Sequence, residues 1–257
     1  MNIFLDNNDK RLVYVKRFLE KQKFNTLVFN QDNIHSITAG DFIILAPAFK
    51  WNENLVNKMS SNVTIFAGAI SEEYLKIFNK KHIKYINFMD DEDFVLKNAT
   101  LTAEGMLCDL ILNTNKSMFN SNILILGSGR VAKAVGYLFY KLGLNFDFAM
   151  RNEKEFNHIK LFARKCILGE EYKYQLKNYD VVINTIPVVL FTQEDANKFK
   201  KDSCVFELAS KKCLEGVEIK NFKYVLCPAL PSKYTPESAS DLMIEVIQNY
   251  LTKGEIK

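Results

Sequence analysis

A run of aliphatic residues, Ile123–Leu126, ends in Gly127-x-Gly129-x-x-Ala132 and passes into a helical apolar pattern that continues through Leu142 to Gly143. No other stretch restricts the fold of this chain as tightly. Strand, glycine turn and helix in that order form the arrangement that a dinucleotide pyrophosphate requires. Gly127 permits the tight turn, Gly129 lets the backbone approach phosphate, and the small Ala132 lets the helix pack close to the strand. The helix N-terminus then offers N–H groups and a positive dipole end to the anion. The spacing assigns Gly127, Ser128, Gly129, Arg130 and Val131 to that pyrophosphate.

The rest of the chain alternates in the way such a domain needs. Downstream, the apolar spacing predicts strands at 145–150, 165–168, 180–185, 203–208 and 222–227, and helices at 130–142, 153–164, 193–200 and 236–251. Upstream it predicts strands at 2–5, 26–29, 41–46, 63–67 and 84–88, and helices at 9–21, 55–59 and 72–79. The acidic stretch 90–93 reads as a loop, and Thr102 as the N-cap of a helix leading into the second half. The fold class is therefore α/β: a C-terminal doubly wound Rossmann domain, 101–257, preceded by a smaller flavodoxin-like α/β domain, 1–100, that covers the substrate. The final helix, 236–251, is expected to pack back on the first domain. The opening turn, Asp6-Asn7-Asn8-Asp9, has no glycine, so a second nucleotide site there is not expected.

Composition excludes several classes. With 257 residues, 48% apolar and 25% charged, the chain is an ordinary globular protein, and no apolar run reaches the ~20 residues of a spanning helix. Met1–Asp6 is too short for a signal core, so the expected compartment is the cytoplasm. A net charge of +4, spread along the chain, gives no focused nucleic-acid surface. Five cysteines without CxxC spacing read as reduced thiols: Cys204 and Cys227 lie in apolar runs, and Cys213, in a polar loop, is the one expected to be exposed. His35, His82 and His158 share no ligand spacing, and no metal site is expected.

In a doubly wound sheet the ligand crevice lies beyond the carboxyl ends of the strands. Arg151 ends the second strand, where an acid would bind the ribose of NAD and an arginine suits the 2′-phosphate of NADP. Asp147 lies mid-strand and should not reach the ribose. The expected cofactor is thus NADP, with NAD as the alternative. Asn152 adjoins Arg151 on the adenosine side, and Thr185, Ile186, Pro187 and Ala209 fall at the nicotinamide end. Asn184 closes the fourth strand, either under that ribose or as a plain strand cap. Glu207 ends an apolar strand as a base or as the partner of a cation, and Ser210, Lys211 and Lys212 follow as carboxylate binders. Pro228, Pro231 and Pro236 stiffen a last loop with Ser232, Lys233 and Tyr234 at its tip. In the first half, Arg11 and the turn 102–105 are the candidates to face substrate from the other side, and Asp9 is equally a helix cap.

These strand-end segments, in this order, resemble the dipicolinate synthase A family. The resemblance rests on the glycine turn, Met150-Arg151, Val182-Ile-Asn-Thr-Ile-Pro187, Glu207-Leu-Ala-Ser210, Cys227-Pro-Ala-Leu-Pro231 and Thr235-Pro236. It is joined in the first half by Asp9-Lys-Arg11, Phe66-Ala-Gly68 and Thr102-Ala-Glu-Gly105. The chain departs from it at Asn8, Glu207, Lys211-Lys212-Cys213-Leu214, Ala229 and Ser232, where the family has glycine, aspartate, Arg-Pro-Gly-Gly, glycine and glycine. The resemblance implies an NAD(P)-dependent sporulation enzyme that oxidises dihydrodipicolinate, a small cyclic dicarboxylate, to dipicolinate. It implies a separate partner protein, dipicolinate synthase B, and is compatible with a homo-oligomer. Under it, Glu207, Asn184, Ser210 and Arg11 are the catalytic candidates, and substrate is expected between the two halves. A D-2-hydroxyacid dehydrogenase is disfavoured, because no histidine follows His158 and no arginine follows Arg164. The alternatives are a non-catalytic NADP-binding or sensing protein and a dehydrogenase for another small carboxylate.

Overall fold

A computed structural model describes residues 1–30 and 33–252. The chain divides into two compact units, one formed by Met1–Asn98 with the segment from Pro231 onward, the other by Ala99–Leu230.

The first unit is a parallel sheet of β1 (Ile3–Asp6), β2 (Thr26–Phe29), β3 (Phe42–Ile44), β4 (Thr64–Ala67) and β5 (Lys84–Asn87), in the order β2-β1-β3-β4-β5. That is the flavodoxin-like order. Its helices are α1 (Lys10–Lys21), α2 (Glu53–Lys58) and α3 (Glu72–Lys80). The last helix, α9 (Pro236–Thr252), packs along α1 and buries Ala239, Met243 and Ile247. Strands buried on both faces explain the continuous apolar runs Ile-Phe-Leu in β1 and Ile-Phe-Ala in β4.

The second unit has six parallel strands: β6 (Ile123–Leu126), β7 (Phe146–Met150), β8 (Lys165–Leu168), β9 (Val181–Asn184), β10 (Cys204–Glu207) and β11 (Lys223–Leu226). Their order, β11-β10-β9-β6-β7-β8, is the doubly wound Rossmann order counted within the unit. The helices are α5 (Arg130–Lys141), α6 (Glu153–Ile159) and the short α7 (Gln193–Ala196). α5 buries Ala132, Val135, Gly136 and Phe139, one stripe at helical spacing. In register, Leu126 lies opposite Asn184 on one side and Ala149 on the other, and Asn184 lies opposite Glu207. The carboxyl ends of β10, β9, β6 and β7 are therefore level along one edge of the sheet.

Several expectations are corrected. The helix expected from Thr102 begins ten residues earlier, as α4 (Glu92–Asn113), so Thr102 is mid-helix and 90–93 is not all loop. The Asp91 carboxylate accepts from the Phe94 N–H at 2.9 Å, and Glu92 and Asp93 place negative charge in the first turn. α6 stops at Ile159 rather than 164, since Arg164 turns to pair with Asp147 as the chain enters β8. α7 stops at Ala196 rather than 200, where the Lys198 and Phe199 N–H groups switch to tighter i→i−3 bonds and Phe199 docks between Phe191 and Phe222. The proline-stiffened tip is also a helix, α8 (Leu230–Tyr234), in which Ser232 is buried.

Candidate functional site

The glycine turn has the geometry that its sequence requires. Gly127 ends β6 at φ +114°, a region closed to side chains, and a Cβ there would meet the Thr185 hydroxyl oxygen at 2.3 Å. Thr185 holds that approach by donating its hydroxyl and its N–H to the Leu126 carbonyl, at 2.8 and 3.1 Å. Gly129 is different: it has φ −72° and open space where a Cβ would stand. It is the N-cap of α5, and no side chain caps that helix end. Turn, empty space and uncapped N-terminus together fit a bound pyrophosphate. Ser128 is half-buried, Arg130 is exposed and Val131 half-buried beside it.

Close helix–sheet packing falls to a glycine that sequence reasoning missed. A Cβ on Gly136 would come within 2.6 Å of the Phe148 ring, so the contact of α5 with β7 depends on it, one turn beyond the buried Ala132. Its place on the α5 stripe was visible in the sequence; the position of Phe148 opposite it was not.

At the end of β7, Arg151 is 67% exposed and pairs with Glu170 at 3.0 Å, while Lys173 holds the same carboxylate at 2.9 Å. Asn152 caps α6, its side-chain oxygen accepting from the Lys154 N–H. Asp147 is buried and accepts from Arg164 Nε and Nη2, at 2.8 and 3.0 Å, and from the Tyr179 hydroxyl at 2.8 Å. Its carboxylate is engaged inside the unit, as its mid-strand position suggested.

The ends of β9 and β10 form one hydrogen-bonded network. Asn184, fully buried, accepts from the Ile186 N–H and donates to the Ile186 carbonyl, both at 3.0 Å, and donates to Glu207 at 2.7 Å. Glu207, 3% exposed, also accepts from the Ala209 N–H at 3.1 Å, the Cys213 N–H at 2.7 Å and the Tyr224 hydroxyl at 2.9 Å. Tyr224, on β11, was not foreseen, since only the strand pairing brings it across from β10. Burial, then the neighbouring Cys213 and Glu207, push its phenol far above the usual range. Cys213 corrects an expectation: it is fully buried rather than exposed, because its N–H goes to Glu207 and its carbonyl accepts from Leu190 and Phe191. Burial, then Glu207, raise its thiol far above the ordinary value, which leaves no reactive thiolate. Ser210, Lys211 and Lys212 are exposed, and so is Pro187.

In the first unit, Arg11 is buried and held by Asp9 through two bonds, Nε–Oδ1 at 2.9 Å and Nη2–Oδ2 at 2.7 Å. The same carboxylate caps α1 and accepts the Ser232 hydroxyl at 2.9 Å. Burial alone would raise the Asp9 pKa, but Arg11, through its side chain, charge and N–H, together with Ser232, lowers it overall. Ser232 is thus a buried prop for Asp9, and Lys233 lies exposed over the Tyr234 ring. Ala229 sits at φ +49°, a left-handed conformation that favours glycine.

The fold and this strand-end edge define a Rossmann-type architecture built of two parallel α/β units. Within it, the chain is a homologue of dipicolinate synthase A. It is 25% identical to that protein of Bacillus subtilis over 228 residues, 85% of this chain and 76% of the relative. The crystal structure of dipicolinate synthase A from Bacillus halodurans superposes with a TM-score of 0.81 at 20% identity, covering 97% of both chains. A shikimate dehydrogenase (NADP(+)) of Methanococcus maripaludis is 33% identical over 118 residues, 41% of this chain and 42% of its own. No family model matches the chain. Among the described residues no helix is long and apolar enough to cross a membrane.

Proposed function

We propose that this protein is an NADP-dependent dehydrogenase of the dipicolinate synthase A type, which oxidises dihydrodipicolinate to dipicolinate together with a dipicolinate synthase B partner. The observation that carries this reading is the turn at Gly127–Gly129. It opens an uncapped helix at the point where the strand order reverses, with Arg151 on the next strand end, in a homologue aligned over 85% of its length.

Gly127, Ser128, Gly129, Arg130 and Val131 would hold the pyrophosphate through backbone N–H groups. Arg151, with Asn152 beside it, would meet the adenosine ribose and its 2′-phosphate. Thr185, Ile186, Pro187 and Ala209, held in place by Asn184 and Glu207, would lie along the nicotinamide end. When bound, the nicotinamide accepts the hydride that leaves the dihydropyridine ring. The ring also loses a proton and becomes aromatic, so the chain's task is placement more than activation.

A dianionic substrate requires donors, and exposed Ser210, Lys211 and Lys212 supply them. Arg11 is a weaker candidate, because Asp9 already neutralises it. Glu207 accepts four hydrogen bonds, so the proton is better passed to water than to this carboxylate. The test is an assay of the purified protein with dihydrodipicolinate and NADP, alone and with dipicolinate synthase B. Pyridine dicarboxylate formation supports the reading, and NADP binding without turnover under either condition refutes it in favour of a nucleotide-binding protein without this activity.

A further inference from the structure

From its place at the end of an apolar strand Glu207 is a candidate base or the partner of a cation, yet its surroundings give it other work. One oxygen accepts from Asn184 and from the Ala209 N–H, and the other accepts from the Cys213 N–H and the Tyr224 hydroxyl. The two backbone donors, at 209 and 213, bracket three exposed residues, Ser210, Lys211 and Lys212. Cys213 then accepts from Leu190 and Phe191, and Asn184 grips Ile186. A single carboxylate therefore joins the loop after β9 to both ends of the loop after β10. Beside them lies a crevice of about 800 Å³, lined by Val188, Val189, Leu214 and Tyr224 together with Ser210, Lys211, Lys212 and one acid, Glu215. Apolar walls with a hydroxyl and two cations against a single acid suit a small ring that carries carboxylates.

We propose that Glu207 is a positioning residue that clamps the Ser210–Lys212 segment over this crevice and so sets affinity for a cyclic carboxylate without taking part in proton transfer. The proposal rests on the dehydrogenase reading above. It follows from hydrogen-bond inventory: a carboxylate offers only acceptors, and four donors converge on this one. An amide in its place turns N–H groups toward one pair of those donors. At least one backbone N–H at 209 or 213 then loses its partner, and the loop between is released.

The test compares wild type with Glu207→Gln and Tyr224→Phe in three measurements: NADPH titration, steady-state kinetics with dihydrodipicolinate, and native trypsin cleavage after Lys211 and Lys212 followed by mass spectrometry. Glu207→Gln is expected to raise KM and the cleavage rate by roughly tenfold each, the effect of about one lost hydrogen bond, with kcat within about threefold of wild type and NADPH affinity weakened by less than KM is raised, since Glu207 also holds Ala209. Tyr224→Phe, which keeps the carboxylate and its three other donors, is expected to move both quantities the same way by about threefold. A fall in kcat at unchanged KM would make Glu207 part of the chemistry and overturn the proposal. Unchanged cleavage in both variants would overturn the clamp. If Glu207→Gln does not fold, Tyr224→Phe decides alone, with unchanged KM and cleavage as the contrary result. Cleavage requires no turnover, so wild type inactive on dihydrodipicolinate would refute the function reading while the cleavage comparison still judged the clamp.

Discussion

Two strand-to-helix turns in this chain occupy the same topological position and are built for opposite purposes. Between β1 and α1, Asp9 caps the helix with a carboxylate, and that carboxylate also holds a buried arginine and a serine. Between β6 and α5 the cap is Gly129, with no side-chain acceptor and with open space beside it. The first turn brings its own anion; the second has none, and under the proposed function an anion from outside takes that place. The sheet order alone does not make a nucleotide site, since both units have parallel sheets with a reversal point.

The comparison is most strongly broken at Gly127. Gly127→Val would place a side chain at φ +114° and drive it into Thr185, at a cost of about 3–5 kcal/mol from backbone strain and overpacking. Thermal unfolding should show a large loss of stability, and a melting temperature equal to wild type would show that the turn does not need its glycine.

Next in size is the first turn. Asp9→Ala removes the α1 cap and leaves Arg11 buried without its partner, at a cost of about 3 kcal/mol at neutral pH. The sign with pH follows from the lowered Asp9 pKa. Its contribution is fully present above the ordinary carboxylate value of about 4 and is lost as pH falls through the folded-state value. The stability gap between wild type and variant should therefore hold from neutral pH down to about 4 and narrow below it. A gap that persists unchanged at the acid end would mean that packing, not the ion pair, accounts for it. NADPH affinity should not change, because Asp9 already caps this helix end.

The smallest effect sharpens the second turn. Arg151→Ala should weaken NADP binding by about 1.5–3 kcal/mol and leave NAD unaffected, as expected for one charge-assisted contact. Parallel titrations of both nucleotides measure it, and an equal loss for both would remove Arg151 from the 2′-phosphate.

Most of the frame was legible because aliphatic runs such as Ile123–Leu126 and Val181–Ile183 belong to strands buried on both faces, and the glycine turn punctuates one of them. Local signals misled where tertiary contacts decide. Thr102 looks like a cap, but Asp91 takes that position and lets α4 run through the threonine. Cys213 sits among lysines in sequence, yet one hydrogen bond to Glu207 at the end of β10 and two from Leu190 and Phe191 in the loop after β9 draw its backbone inward. Glu207 ends its strand as foreseen; that its oxygens are saturated depends on Tyr224 and Asn184, which only strand pairing brings beside it. Residue type at a strand end is readable from sequence, whereas the partners that decide its chemistry are set by register.

Anion binding at the α5 N-terminus, which no side chain caps, is tested most directly by Gly129→Val. At φ −72°, with nothing within 4 Å of the added Cβ, the valine should be accepted by the fold but fill the space where the proposed function puts the pyrophosphate. NADPH fluorescence titration of wild type and variant, with melting curves as the control, is the measurement. The predicted result is saturable binding by wild type and at least about a hundredfold weaker binding by the variant, at a melting temperature within a few degrees of wild type. Undiminished NADPH affinity in Gly129→Val, or no binding by wild type, would contradict the account.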